Sequence, residues 1–134
     1  MIIEQMSVSA PPGKRKQLGS ALSSLIGPTQ VQPGCLSCRL FQNWQNLDEL
    51  LVEASWETQE DLIRHLQSDS YKQLLLMMEA SRLPPVLRFC SVQDISGLEL
   101  VRSARGESNP ATKENPARRL AGQAQRIRDG SGTG

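Results

Sequence analysis

The stretch Leu47–Tyr71, LDELLVEASWETQEDLIRHLQSDSY, decides the fold of this chain. Leu50, Val52, Ala54 and Trp56 alternate with Glu49, Leu51, Glu53 and Ser55, the period-two pattern of a strand. Leucines on both faces imply that neither side is fully open to water. Trp56-Glu57 marks a sharp turn. Thr58-x-x-Asp61 has the form of a capping box, and acids crowd the first helical turn as the macrodipole favours. Leu62, Ile63 and Leu66 supply an apolar side. Ser68-Asp69-Ser70 then interrupts the helix and offers a second N-cap. Tyr71, Leu74, Leu75 and Met78 line up on a second helical stretch.

Working outward, Met1 to Val8 reads as a strand that Ala10-Pro11-Pro12-Gly13 ends. Lys14 to Ile26 places Leu18, Ala21, Leu22, Leu25 and Ile26 at helical spacing, and Gly27-Pro28 is predicted to stop that helix. Cys35 to Gln42 is a strand with Leu36, Cys38 and Leu40 on one face and Cys35, Ser37, Arg39 and Phe41 on the other. Asn43 to Asn46 joins it to the next strand as a hairpin. Leu83-Pro84-Pro85 ends the second helical stretch, Val86 to Val92 is a fourth strand, and Gly97 to Arg102 is read as a short fifth.

From Ser103 the composition turns to Gly, Ser, Asn, Pro, Arg and Gln. The reading is therefore one folded domain over 1–102 and a disordered polar tail over 103–134. The order β-α-β-β-α-β is the ferredoxin-like α+β pattern, with helices on one face of an antiparallel sheet. The other face is left bare, and a homodimer with the two sheets face to face is the simplest way to cover it.

Composition narrows the function. With 134 residues, a net charge of +1 and 4% aromatic residues, the chain has neither the basic surface nor the stacking platforms that nucleic acid needs. No apolar run approaches the roughly 18 residues of a membrane span. Met1–Val8 lacks the basic start and long apolar middle of a signal peptide. Three cysteines, an odd number, argue against a disulfide framework and suit a reducing cytoplasm. Roughly 100 folded residues bury about two-thirds of their surface, a thin core that oligomerisation would support.

Pro33-Gly34-Cys35-Leu36, the hairpin, Trp56 followed by His65-Leu66, then Ser68 and Tyr71, with Pro12-Gly13-Lys14 ahead of the first helix, resemble the antibiotic biosynthesis monooxygenase domain. The resemblance covers roughly residues 1–102. It implies a dimeric α/β barrel with a pocket between helices and sheet in each subunit. Members include cofactor-independent oxygenases of quinols and polyphenols, haem-degrading enzymes and proteins of unknown role. Two departures stand out. The family often carries an acid two residues before the tryptophan, where this chain has Ala54, while Glu53 points to the other face. It often carries Tyr or Phe where this chain has Cys38. The haem-degrading branch fits less well: its ring-distorting tryptophan falls at His65 and its iron-ligating histidine at Leu75.

His65, the only histidine, is the first chemical candidate. In a cofactor-free oxygenation a base removes a phenolic proton, and the electron-rich anion passes an electron to oxygen. Histidine is suited to that task. It sits at the margin of the Leu62-Ile63-Leu66 stripe, where it can face a cleft or serve as a structural residue. Trp56 can stack on a substrate ring or belong to the core. Tyr71 can hydrogen-bond a substrate oxygen or simply pack. Cys38 and Val52 are expected to line the pocket beside them.

Cys35-x-x-Cys38 suggests redox chemistry or zinc. Strand alternation, however, puts the two thiols on opposite faces, and zinc would need Cys90 and His65 from distant elements. Arg39 and Arg88 are candidates for holding an anion or for pairing with Glu49 or Glu53. Trp44 is expected on the surface or at an interface. The expected activity is a monooxygenase acting on a quinol-like or phenolic molecule, with no metal site and no cofactor. The alternative is a non-catalytic binding or interaction module on the same fold.

Overall fold

A computed structural model describes residues 1–107. The elements run β1 (Ile2–Ser9), α1 (Arg15–Gln30), β2 (Cys35–Gln42), β3 (Glu49–Trp56), α2 (Gln59–Leu66), α3 (Asp69–Met78), β4 (Val86–Ser91) and α4 (Leu98–Ala104). The four strands form one antiparallel sheet in the order β2-β3-β1-β4, so the two central strands are β1 and β3. This is the ferredoxin-like α+β fold expected from the hairpin and its flanking helices. The contacts divide the chain into one unit spanning Met1–Gln93 and a second from Asp94 onward. The tail read from the sequence lies almost wholly outside the described residues.

β1 buries every second side chain, Glu4, Met6 and Val8, and β3 does the same with Leu50, Val52, Ala54 and Trp56. Helices α1 to α3 cover that face: α1 lies against β2 and α3, and α2 against β3 and α3. Leu18, Leu22 and Leu25 from α1, Leu62 from α2, and Tyr71 and Leu74 from α3 complete the core. The far face of the sheet is mixed rather than apolar. Gln5 donates to Glu53 and Ser37 donates to Ser55 across neighbouring strands, while Phe41 and Val86 stand exposed among them.

Three expectations are corrected. First, α1 does not stop at Gly27-Pro28 but runs on to Gln30. Pro28 lies on the exposed side of the last turn, where the carbonyl it fails to pair meets water. On the opposite side the buried row Leu18, Leu22, Leu25, Thr29 continues unbroken, and Thr29 Oγ1 donates to the Leu25 carbonyl. Second, Gly97–Arg102 is not a strand; Leu98–Ala104 is helical. Third, β2 carries a bulge at Leu36. Cys35 opposes Trp56 and Ser37 opposes Ser55, so Leu36 is the extra residue. The bulge returns Cys35 to the face that holds Cys38, whereas simple alternation puts them on opposite sides.

Two turns set the position of α2 against the sheet. Gln32-Pro33-Gly34-Cys35 closes with the Cys35 N–H donating to the Gln32 carbonyl at 3.1 Å, and Gly34 has φ +79°. Proline second and a positive-φ glycine third are the signature of a type II turn. The Gly34 carbonyl in turn accepts from the Glu57 N–H at 2.8 Å, tying this turn to the one after Trp56. Thr58 then caps α2 by accepting from the Asp61 N–H, and Ser68 caps α3 by accepting from the Tyr71 N–H.

Candidate active site

The capped start of α2 fixes the rotation of a short helix, and that rotation brings His65 inward. Leu62 and His65 are the buried residues of α2, whereas Ile63 is 44% exposed. The apolar stripe therefore misplaces the buried face. His65 is taken into the core because each of its ring nitrogens has a polar partner there. Nδ1 lies 2.8 Å from Gln32 Oε1, presented by the Pro33-Gly34 turn. Nε2 lies 3.4 Å from Glu4 Oε2 on β1.

The same Glu4 oxygen accepts the Trp56 indole N–H at 3.2 Å. The imidazole stacks on Trp56 with ring centroids 4.4 Å apart. It also meets Tyr71 in a T-shaped contact with ring centroids 5.1 Å apart. Glu4, Trp56 and His65 are all at most 5% exposed. Trp56 and Tyr71 thus both pack against the histidine ring.

A small cavity of about 20 Å³, room for about one water molecule, opens beside this cluster. It is far smaller than the roughly 300–1,000 Å³ of small-molecule sites, so its wall must part to admit a ligand. Leu22, Leu25, Ile26, Val52, Ala54 and Leu74 make its apolar wall; among the described residues Glu4 and His65 supply its one carboxylate and one imidazole. Cys38 and Val52 line it, whereas Trp56 and Tyr71, also expected at the pocket from the sequence, are not among its lining residues. Arg39 lies opposite Glu53 and Arg88 opposite Gln5 on the far face of the sheet, so neither reaches the cavity. Trp44 is 92% exposed in the hairpin loop.

Burial pushes the Cys38 thiol up to about 12, with the neighbouring Cys35 and Glu4 adding to the effect. It pushes the Tyr71 hydroxyl up to about 12 as well, with Glu4 contributing. Cys35 is raised too, chiefly by burial. These groups keep their protons at neutral pH, which removes the cysteines as nucleophiles and leaves Tyr71 a donor. All three cysteines are free. Among the described residues no group of three or more His, Cys, Asp or Glu is arranged to hold a metal ion. Cys90 opposes Ile3 on the far face of the sheet, away from Cys38.

Sequence reasoning misses Glu4 and Gln32. Glu4 has a signal: it alternates with Met6 and Val8 on an inward face. Its register partner on β3 is Ala54. Glu4 thus places a carboxylate on the strand beside Ala54.

Comparison with known proteins identifies the chain's relatives. The family model for antibiotic biosynthesis monooxygenases matches residues 1–75, more than half of the chain. The chain belongs to the antibiotic biosynthesis monooxygenase family. No curated protein matches it at significance.

Among solved structures, a candidate antibiotic biosynthesis monooxygenase of Deinococcus radiodurans is 15% identical with a TM-score of 0.67, covering 72% of this chain and 97% of its own. Rv0793 of Mycobacterium tuberculosis is 21% identical with a TM-score of 0.65, covering 72% of this chain and 98% of its own. A Bacteroides thetaiotaomicron protein of unknown function, described as a possible oxidoreductase, is 17% identical with a TM-score of 0.60, covering 66% of this chain and 94% of its own. At these identities the likeness is one of fold. Among the described residues no helix is long and apolar enough to cross a membrane.

Proposed function

We propose that this protein is a cofactor-independent monooxygenase that oxidises a quinol-like or phenolic molecule with molecular oxygen. The observation that carries this reading is the pairing of an apolar cavity with one buried acid–base cluster, Glu4 and His65, at its wall. A flat apolar ring suits the aliphatic wall once those side chains part to admit it, and its hydroxyl then meets the Glu4–His65 pair. Proton removal gives an electron-rich anion, and the dry setting favours charge transfer over solvation. One electron passes to oxygen, and the resulting radicals join through a new C–O bond. Loss of water then leaves a carbonyl. The substrate supplies all the electrons: its O–H and one ring C–H give the hydrogens of the water, and a phenol plus O₂ becomes a quinone plus water.

In this reading His65 is the central site residue, Trp56 and Tyr71 hold it, and Cys38 and Val52 shape the pocket. The working form is a homodimer joined through the far face of the sheet, where Phe41 and Val86 stand exposed and Ile3 and Leu51 are only partly covered. The three reduced cysteines suit a cytoplasmic setting. Replacing His65 with asparagine tests the reading: turnover on an accepted phenol falls about 10²–10⁴-fold while the oligomer size by light scattering is unchanged. Unchanged turnover would remove His65 from the chemistry.

A further inference from the structure

Both ring nitrogens of His65 already face protein groups. With Gln32 Oε1 facing it, Nδ1–H donates to the amide, and Nε2 faces Glu4 Oε2. With the Gln32 amide turned over, its NH₂ donates to Nδ1, and Nε2–H donates to the Glu4 carboxylate. In both arrangements each ring nitrogen faces a protein group. Glu4 differs: Oε2 receives the contacts from Trp56 and His65, and Oε1 receives neither. Glu4 also lines the cavity itself.

We infer that Glu4, rather than His65, is the group that takes the hydroxyl proton of a bound phenol, with His65 and Gln32 as its positioning partners. The inference rests on the phenol-oxidising reading above and deepens it. In the step, the substrate O–H bond breaks and its electron pair stays on oxygen as a phenolate. The proton forms a new O–H bond on the Glu4 carboxylate. His65 Nε2, 3.4 Å from Glu4 Oε2, and the Trp56 indole N–H hold the carboxylate in place for this transfer.

The other titratable groups facing Glu4 cannot replace it. Cys35 and Cys38 from β2 and Tyr71 from α3 hold their protons through burial. The α1 residues on the wall, Leu22, Leu25, Ile26 and Thr29, carry no titratable group.

The test uses 4-nitrophenol, whose phenolate absorbs in the visible, with the whole protein buffered below the probe's own solution pKa. Wild-type protein is expected to bind it as the phenolate. The E4Q variant, which keeps an oxygen for the Trp56 N–H, is expected to bind it neutral, with the ionised fraction at least about tenfold lower and kcat down about 10²–10⁴-fold. Q32L is expected to lower the ionised fraction by less than E4Q does.

Should E4Q fail to fold, the infrared difference spectrum of wild-type protein on probe binding decides. A carboxylic acid C=O band that moves with ¹³C-glutamate supports Glu4, and no such band overturns it. An E4Q variant that ionises the probe as wild type does, or a wild type that binds it neutral or not at all, overturns the assignment. Oxygen uptake is read separately: ionised probe without uptake of oxygen on any phenol keeps Glu4 and rejects the oxygenase reading.

Discussion

Replacing Gly34 with alanine perturbs both the stability of the fold and the aim of His65. Gly34 has φ +79°, and an added Cβ would lie 2.5 Å from Asp61 Cβ and closer still to its carboxyl group. Placing an L-residue in the left-handed region costs roughly 1–2 kcal/mol. Driving Asp61 aside breaks its bond to Thr58 Oγ1 and loosens the cap of α2, about 0.5–2 kcal/mol. The bond from the Glu57 N–H to the Gly34 carbonyl is also at risk, about 1 kcal/mol.

The sum is about 2.5–5 kcal/mol, less a few tenths for the stiffer unfolded chain. For a folded unit of this size each kcal/mol moves Tm by about 4–8 °C, so G34A should melt roughly 10–40 °C lower by circular dichroism. The D61G variant removes the obstructing Cβ. In the G34A/D61G double variant the two losses should therefore sum to less than their separate values, by about 1 kcal/mol or more. A G34A cost below about 0.5 kcal/mol, or strict additivity, would refute the argument from close approach.

Three further outcomes are expected. W56F removes the indole N–H bonded to Glu4 and part of the stack on His65; urea unfolding should show a loss of about 2–4 kcal/mol, coupled by about 1–3 kcal/mol to E4L in a double-mutant cycle. Stability should fall as pH rises from 9 toward 12. The unfolded chain releases the Cys38 proton near 9.0 and the Tyr71 proton near 10.0, while the folded protein holds both to about 12. Melting curves for C38A/Y71F should be flatter across that window than those of wild type. V52F fills the cavity wall; calorimetry should show phenol binding lost, with overpacking costing about 1–3 kcal/mol and the fold retained.

The elements were legible where local chemistry dictates them. The alternation before Trp56 and the caps at Thr58 and Ser68 are written in neighbouring residues, and the structure keeps each of them. The site was legible only in part. His65 and Trp56 stand out by type, but Glu4 and Gln32 reach His65 across 61 and 33 residues of sequence, through strand pairing and a turn. Such contacts leave no local periodicity. Hydropathy alone ranks Ile63 as the inward residue of α2 and leaves His65 at the margin; polar partners reverse that order. The bulge at Leu36 is hidden for a similar reason, since an extra strand residue has no fixed sequence mark. The run of α1 through Pro28 shows a continuous buried row outweighing one missing backbone bond.

The central claim is oxygenation without a resident cofactor, and labelled oxygen tests it most directly. Protein dialysed against chelator and shown to lack flavin absorbance is given ¹⁸O₂ and a panel of reduced quinols and phenols, each corrected for autoxidation. The account predicts enzyme-dependent oxygen uptake and one ¹⁸O atom in the product carbonyl, with the other recovered as water. Uptake that vanishes with the chelator and returns with added metal, or product oxygen drawn from water rather than O₂, would contradict it.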